Sequence, residues 1–391
     1  MDLSLYFDPV DLRALDMGED SANPDLMVSS ILMYNPQEPL HIQDAQIVLL
    51  GVPESRNSTG NATCSLAPDE IRRQFYGLYR WAKPVRMMDL GNVRVGETVE
   101  DTYEVVADIV AHLLENKVIP VILGGGNDIA FANYRAYEKL EQVVNVVGVD
   151  SRFDLGEEHQ PIRSDAYLQK MVLQQPNFLL NYANVGYQTY MNSPASIRMM
   201  EALFFETYRV GTMRKDIEEV EPIVRNADMV SVDISAVRRP DAPGCPHGSS
   251  NGFYGEELCQ IAKYAGLSDK LSSFGIYEYD PTMDYANQTA QLIAHLIWYF
   301  VEGFLNRQND NRFKQKQDYR QYSIAVSGAL SELVFFCSKR TGRWWMLVPM
   351  INKEKDITQH YYLPCSKRDY LLACDDQIPE RWWRAYNKFN R

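Results

Sequence analysis

The stretch Val143-Val144-Asn145-Val146-Val147-Gly148-Val149-Asp150-Ser151-Arg152-Phe153-Asp154 decides the fold. A run dominated by valine has no polar face to offer water, so it predicts a strand buried on both sides. The run stops at Asp150, and a second aspartate, Asp154, follows closely. The same design recurs along the chain. Ile119–Leu123 leads into Gly124-Gly125-Gly126-Asn127-Asp128, Met229–Ile234 carries Ser231-Val232-Asp233-Ile234-Ser235 at its end, and Ser272–Tyr277 leads into Glu278-Tyr279-Asp280-Pro281.

Further apolar runs at Ile47–Val52, Val85–Leu90 and Phe178–Val185 predict more strands. Helical stretches separate them at Pro68–Tyr79, Val99–Asn116, Asp128–Leu140, Ser164–Leu173, Lys215–Asn226, Glu256–Ala265 and Asp284–Leu305. Strands alternating with helices imply an α/β fold, a doubly wound and mainly parallel sheet with helices on both faces. Such sheets place their sites at the carboxyl ends of the strands. The chain divides into an N-terminal arm (1–44), the α/β domain (45–305), a polar linker (306–319) and an aromatic-rich C-terminal extension (320–391). In the extension, Leu333–Ser338 and Arg343–Pro349 flank Arg340-Thr341-Gly342 as a β-hairpin. Trp344, Trp345, Trp382 and Trp383 need a surface to bury against, which predicts an extension packed on the core.

Composition narrows the function classes. Hydrophobic residues make up 46% and charged residues 23%, as in an ordinary globular protein. A net charge of -13 repels phosphate backbones and anionic membranes, so no nucleic-acid partner is expected. The most apolar segment, Ala290 to Leu305, is interrupted by His295, Glu302 and Gly303 and predicts a core helix without membrane insertion. Met1 to Leu12 does not read as a signal peptide. The six cysteines lack any Cys-x-x-Cys pair, which suggests buried thiols in a reducing cytoplasm.

One aspartate at a strand end is usually a turn or cap residue. Four polar or acidic clusters on one sheet edge suggest a cation site. Their order and content resemble the arginase, agmatinase and formimidoylglutamase family, whose motifs are Gly-Gly-x-His, Asp-Ala-His-x-Asp, Ser-x-Asp-x-Asp and a Glu before a Pro and an Asp. Gly51-Val52-Pro53, Ala67-Pro68, Asp89-Leu90-Gly91 and Ala242-Pro243-Gly244 fall in register with it, and Phe153-Asp154-Leu155 is nearest the formimidoylglutamase branch. The resemblance implies a pair of Mn²⁺ ions that activate water against a guanidinium or formimino carbon.

Carried over position by position, the resemblance leaves gaps. Asn127 stands where the family has its first histidine, Arg152 where it has the second, and Ser235 where it has an aspartate. Asp150, Asp154 and Asp233 are kept, and Glu278 matches the substrate-side glutamate. Three aspartates facing Arg152 imply no manganese pair, and either no cofactor or at most one divalent cation, Mg²⁺, Ca²⁺ or Mn²⁺, in an oxygen shell that includes Asn127. His159 and His247 are the remaining candidates for a general acid. The expected function is therefore a non-catalytic ureohydrolase-fold protein that binds a cationic guanidino or amino molecule, or a protein. An active hydrolase of linear amidines and a structural subunit are the alternatives. The aromatic extension is the expected contact for a second copy or a protein partner.

Overall fold

The computed structural model describes residues 3–17, 23–156, 161–310, 316–327, 332–352 and 357–390. Its α/β part runs β1 (Phe7–Asp8), β2 (Ile31–Met33), β3 (Ile47–Gly51), α1 (Ala67–Tyr76), β4 (Met87–Val93), α2 (Val99–Glu115), β5 (Ile119–Leu123), α3 (Ile129–Lys139), β6 (Val144–Val149) and α4 (Tyr167–Leu173). It continues with β7 (Leu179–Tyr187), α5 (Pro194–Ala202), β8 (Glu206–Arg209), α6 (Val210–Lys215), α7 (Glu221–Arg225), β9 (Met229–Asp233), α8 (Gly255–Leu267), β10 (Ser273–Tyr277) and α9 (Gln288–Leu305).

The strands line up in the order β1-β4-β3-β5-β10-β9-β6-β7-β8, with β2 beside β4. Every pairing is parallel except that of β1 with β4. All residues of β3, β5, β6, β9 and β10 are buried, which is why their sequences are continuously apolar. Helices cover both faces and close two separate cores. One gathers Phe75, Val230, Ile276 and Phe300; the other gathers Val106, Ile122, Val146 and Tyr182. Among the described residues, no helix is long and apolar enough to cross a membrane.

This strand order positions the site. β5, β10, β9 and β6 are neighbours in the sheet although far apart in the chain. Their carboxyl ends carry the four clusters and bring them to one edge. Gly125 allows the approach of the β5 and β3 loops. Its φ is +76°, and a Cβ there would meet Glu54 O at 2.6 Å and Val52 O at 2.7 Å.

Two expected helices change shape. Lys215–Asn226 breaks at Asp216, passes through a 3-10 turn over Ile217–Val220 and becomes α-helical again over α7. The helix expected from Asp284 starts at Gln288, because Ala286 and Asn287 adopt left-handed backbone (φ 56° and 57°). Asp284 instead caps the helix, its carboxylate accepting from the Thr289 and Ala290 N–H groups.

After α9 the chain forms a separate antiparallel sheet, β11 (Tyr319–Ile324), β12 (Leu333–Ser338), β13 (Trp344–Asn352) and β14 (Ile357–Cys365), followed by α10 (Lys367–Cys374) and α11 (Glu380–Phe389). β12 and β13 are the two arms of the expected hairpin. Phe335, Met346, Leu363 and Trp382 share a core, and Trp382 Nε1 donates to Leu347 O at 2.8 Å. Polar bonds tie this sheet to the α/β part. Arg225 Nη2 donates to Trp344 O at 3.0 Å and Cys365 O at 3.2 Å, Tyr361 OH to Asn226 Oδ1 at 2.6 Å, and Lys388 Nζ to Asn181 Oδ1 at 2.8 Å.

Candidate metal centre

Asp150 follows β6, Asp233 ends β9, and Asp154 lies in the loop after Asp150. One oxygen from each lies within 4.8 Å of the others, and all three residues are buried. Asp154 reaches this position through left-handed backbone (φ 49°), a conformation that aspartate tolerates better than most residues. Backbone N–H groups aim the other two: Arg152 N donates to Asp150 Oδ1 at 2.8 Å and Ser235 N to Asp233 Oδ1 at 2.7 Å. Ser235 Oγ adds a bond to Asp150 Oδ1 at 3.3 Å. Among the described residues, Asp150 Oδ2 has no hydrogen-bond partner.

Asn127 spans the cluster from β5. Its Nδ2 donates to Asp154 Oδ2 at 3.0 Å and to Asp233 Oδ2 at 3.4 Å, while its Oδ1 accepts from Ser231 Oγ at 3.2 Å. Glu278, after β10, is 1% exposed and also has positive φ (65°). Its carboxylate accepts from Asn127 N at 2.9 Å, Asn61 Nδ2 at 2.9 Å and Ser58 Oγ at 3.1 Å. Arg152 is half-buried on the wall of the same cavity, and its charge favours ionised Asp150.

The electrostatics follow from crowding. Burial, then the charges of Asp150 and Asp233, hold the Asp154 carboxyl well above the usual aspartate range. Burial, then Asp150 and Glu278, does the same to Asp233, and burial raises Asp150. A cation among these oxygens relieves both the desolvation and the mutual repulsion. The convergent oxygens and the unpartnered Asp150 Oδ2 therefore fit a hard divalent ion such as Mn²⁺ or Mg²⁺. The cavity is about 20 Å³, room for an ion or a water.

The structure brings Asp150, Arg152, Asp154, Asp233, Ser235 and Glu278 to one cavity, and Asn127 bonds two of its aspartates without lining it. His247 joins its wall, with Nε2 at 2.6 Å from Thr59 O. His159 lies outside the described residues. Sequence reasoning missed Ser58, Thr59 and Asn61, which sit on the loop after β3. The signal was present: Gly51-Val52-Pro53 ends a strand adjacent to β5, so its loop must pass over this edge. Asp128 was also missed as a buried acid. Burial pushes its carboxyl up to about 7, although Tyr103 OH donates to it.

The arginase family model matches residues 45–302. The chain belongs to the arginase family. It is 29% identical over 246 residues to a formimidoylglutamase of Staphylococcus aureus (strain JH9), covering 60% of this chain and 78% of the relative. The fold matches the crystal structure of formimidoylglutamase from Bacillus subtilis, with a TM-score of 0.63 and 22% identity over 68% of this chain and 90% of that one. It equally matches a Trypanosoma cruzi formiminoglutamase solved with Mn²⁺₂, with a TM-score of 0.64 and 18% identity over 68% of this chain and 96% of that one.

These findings overturn the expectation of no manganese pair and at most one divalent cation. A formiminoglutamase of the same fold holds Mn²⁺₂, and the aspartate triad of this chain is grouped for metal. The error was in the charge balance, which set three aspartates against Arg152. Glu278 lines the same cavity, so four carboxylates face one guanidinium, and the excess negative charge is larger than the sequence alone suggested.

Proposed function

We propose that this chain is a manganese-dependent hydrolase of linear amidines, of the formimidoylglutamase type. The observation that carries the reading is the buried triad Asp150, Asp154 and Asp233, with oxygens within 4.8 Å of one another at the carboxyl ends of adjacent strands. Its similarity to a formimidoylglutamase supports the substrate class. This reading replaces the non-catalytic one, which rested on the changes at Asn127, Arg152 and Ser235.

Asp150, Asp154 and Asp233 would hold the metal, which when bound supplies a nucleophile at neutral pH and polarises the substrate. The chain's own residues do the rest. Glu278, fixed by Ser58, Asn61 and the Asn127 N–H, presents a negative charge that attracts an amidinium. Arg152 offsets part of the carboxylate charge and favours the ionised form of Asp150 against the burial that raises its pKa. His247 stands at the wall, where proton transfer to the leaving nitrogen is within its chemistry. Hydrolysis adds water at the amidine carbon and breaks its bond to the substrate amine, which leaves carrying a proton.

The test is turnover of N-formimino-L-glutamate, agmatine and L-arginine by full-length protein with and without Mn²⁺. Manganese-dependent release of formamide from the first, abolished by Asp233→Asn, is expected. Folded, manganese-loaded protein that turns over none of the three overturns the reading.

A further inference from the structure

A second cavity, of about 280 Å³, lies where the C-terminal sheet meets the α/β part, away from the strand ends. Arg225, Arg343 and Lys270 meet Asp269 around it, and Trp345 and Tyr362 provide apolar wall. The Arg225 side chain is 6% exposed. Its Nε pairs with Glu221 and its Nη2 bonds the carbonyls of Trp344 and Cys365, but its Nη1 has no hydrogen-bond partner among the described residues. Asp269 Oδ2 accepts from Asp310 N at 2.7 Å, while its Oδ1 has no partner among them either.

Buried polar groups are ordinarily satisfied, because leaving one unpaired costs stability. Here the two unsatisfied atoms are opposite in kind: an N–H of a cation and an oxygen of an anion. The surrounding charges are also mixed. Arg343 shares Glu221 with Arg225, and Lys270 Nζ bonds Asp228 at 2.9 Å. A simple anion would answer the guanidinium and repel Asp269; a simple cation would do the reverse. One ligand satisfies both if it carries a carboxylate and an ammonium on a small apolar body.

We propose that this cavity binds a free amino acid with an apolar side chain. Its α-carboxylate faces Arg225 and Arg343, its α-ammonium faces Asp269, and its side chain lies against Trp345 and Tyr362. The cation stacked over Trp345, Arg225 at 4.3 Å from the ring centroid, keeps the guanidinium rigid for this role.

The test is calorimetric titration of the metal-free full chain with L-leucine, 4-methylpentanoate, which lacks the amine, and 3-methylbutylamine, which lacks the carboxylate. L-Leucine should bind at one site per chain, at least tenfold tighter than either analogue. Asp269→Asn and Arg343→Gln should each weaken it at least tenfold, and Asp150→Asn should leave it unchanged. Arg225 is spared because it anchors two backbone carbonyls. Circular dichroism checks that each variant is folded, and Asp269→Asn alone decides if Arg343→Gln is not. No binding at millimolar leucine, an analogue that binds equally well, indifference to the folded variants, or loss in Asp150→Asn overturns the proposal.

Discussion

Buried charge is handled in opposite ways at the two ends of this molecule. Where the C-terminal sheet meets the α/β part, most charges are paired with an opposite one, and the atoms left over, Arg225 Nη1 and Asp269 Oδ1, are opposite in sign. Glu221 takes Arg225 and Arg343, Asp228 takes Lys270, and Asp310 takes the Ser338 and Thr341 hydroxyls. At the strand ends, Asp150, Asp154 and Asp233 converge on one another, and two of them are driven well above their usual pKa. A fold that needs only stability sets opposite charges against one another, as most of the first region does. A cluster of like charges costs stability in the metal-free chain, and a bound cation gives it a use.

The comparison breaks most visibly if the cover is removed. Residues 320–391 pack as an integral cover in our reading, so truncation before 320 should expose the α/β surface around Arg225 and Asn226. Large apolar side chains contribute roughly 1.5–3 kcal/mol each on burial, so the truncated chain should aggregate or melt far lower. Soluble truncated protein with an unchanged melting temperature contradicts this.

A smaller perturbation acts inside the cover. Trp382 is 2% exposed and donates to Leu347 O. Trp382→Ala should destabilise by about 3–5 kcal/mol in chemical denaturation. Because the triad is remote from this core, manganese affinity should stay the same. A fall in that affinity would show that the two regions are not independent.

The charge cluster itself gives the smallest effect, and its sign is fixed. Asp154 keeps its proton to higher pH in the folded chain than in the unfolded chain, where aspartate titrates near about 3.9. Its contribution to stability is full below that value and is lost as pH rises through the raised folded pKa. Asp154→Asn has no proton to lose. In metal-free protein the variant should therefore gain stability relative to wild type as pH rises above the unfolded value of about 3.9. Saturating Mn²⁺ should reverse the order, since the metal binds the ionised carboxylate. Melting curves that shift in parallel across pH would remove Asp154 from the charged cluster.

Much of this was legible in the sequence, for a physical reason. β5, β6, β9 and β10 are buried on both faces, so their Val and Ile runs are unbroken, and each ends in a polar cluster. β8 was not legible. Glu206–Arg209 is short and polar, and Glu206 is buried only because Asn181 and Tyr208 bond its carboxylate. β2 was lost in a Pro-punctuated arm for a similar reason. At the site, Asn127, Asp150, Asp154, Asp233 and Glu278 could be read from the strand-end clusters and the family resemblance, while Ser58 and Asn61 were signalled only by the loop that carries them. Their role is to hold Glu278 across 220 and 217 residues of chain. The joint placement of Glu278 with the three aspartates was not legible, because motifs count ligands but do not show which carboxylates share a cavity.

The most direct measurement is manganese retained per chain after loading and dialysis, in wild type and in Asp150→Asn. Asp150 meets Asp154 and Asp233 in the triad, and its Oδ2 has no hydrogen-bond partner among the described residues. Wild type should retain manganese, and Asp150→Asn, folded with the same circular dichroism, should fall to background. Wild type that retains no manganese, or a variant that retains as much as wild type, would contradict the account.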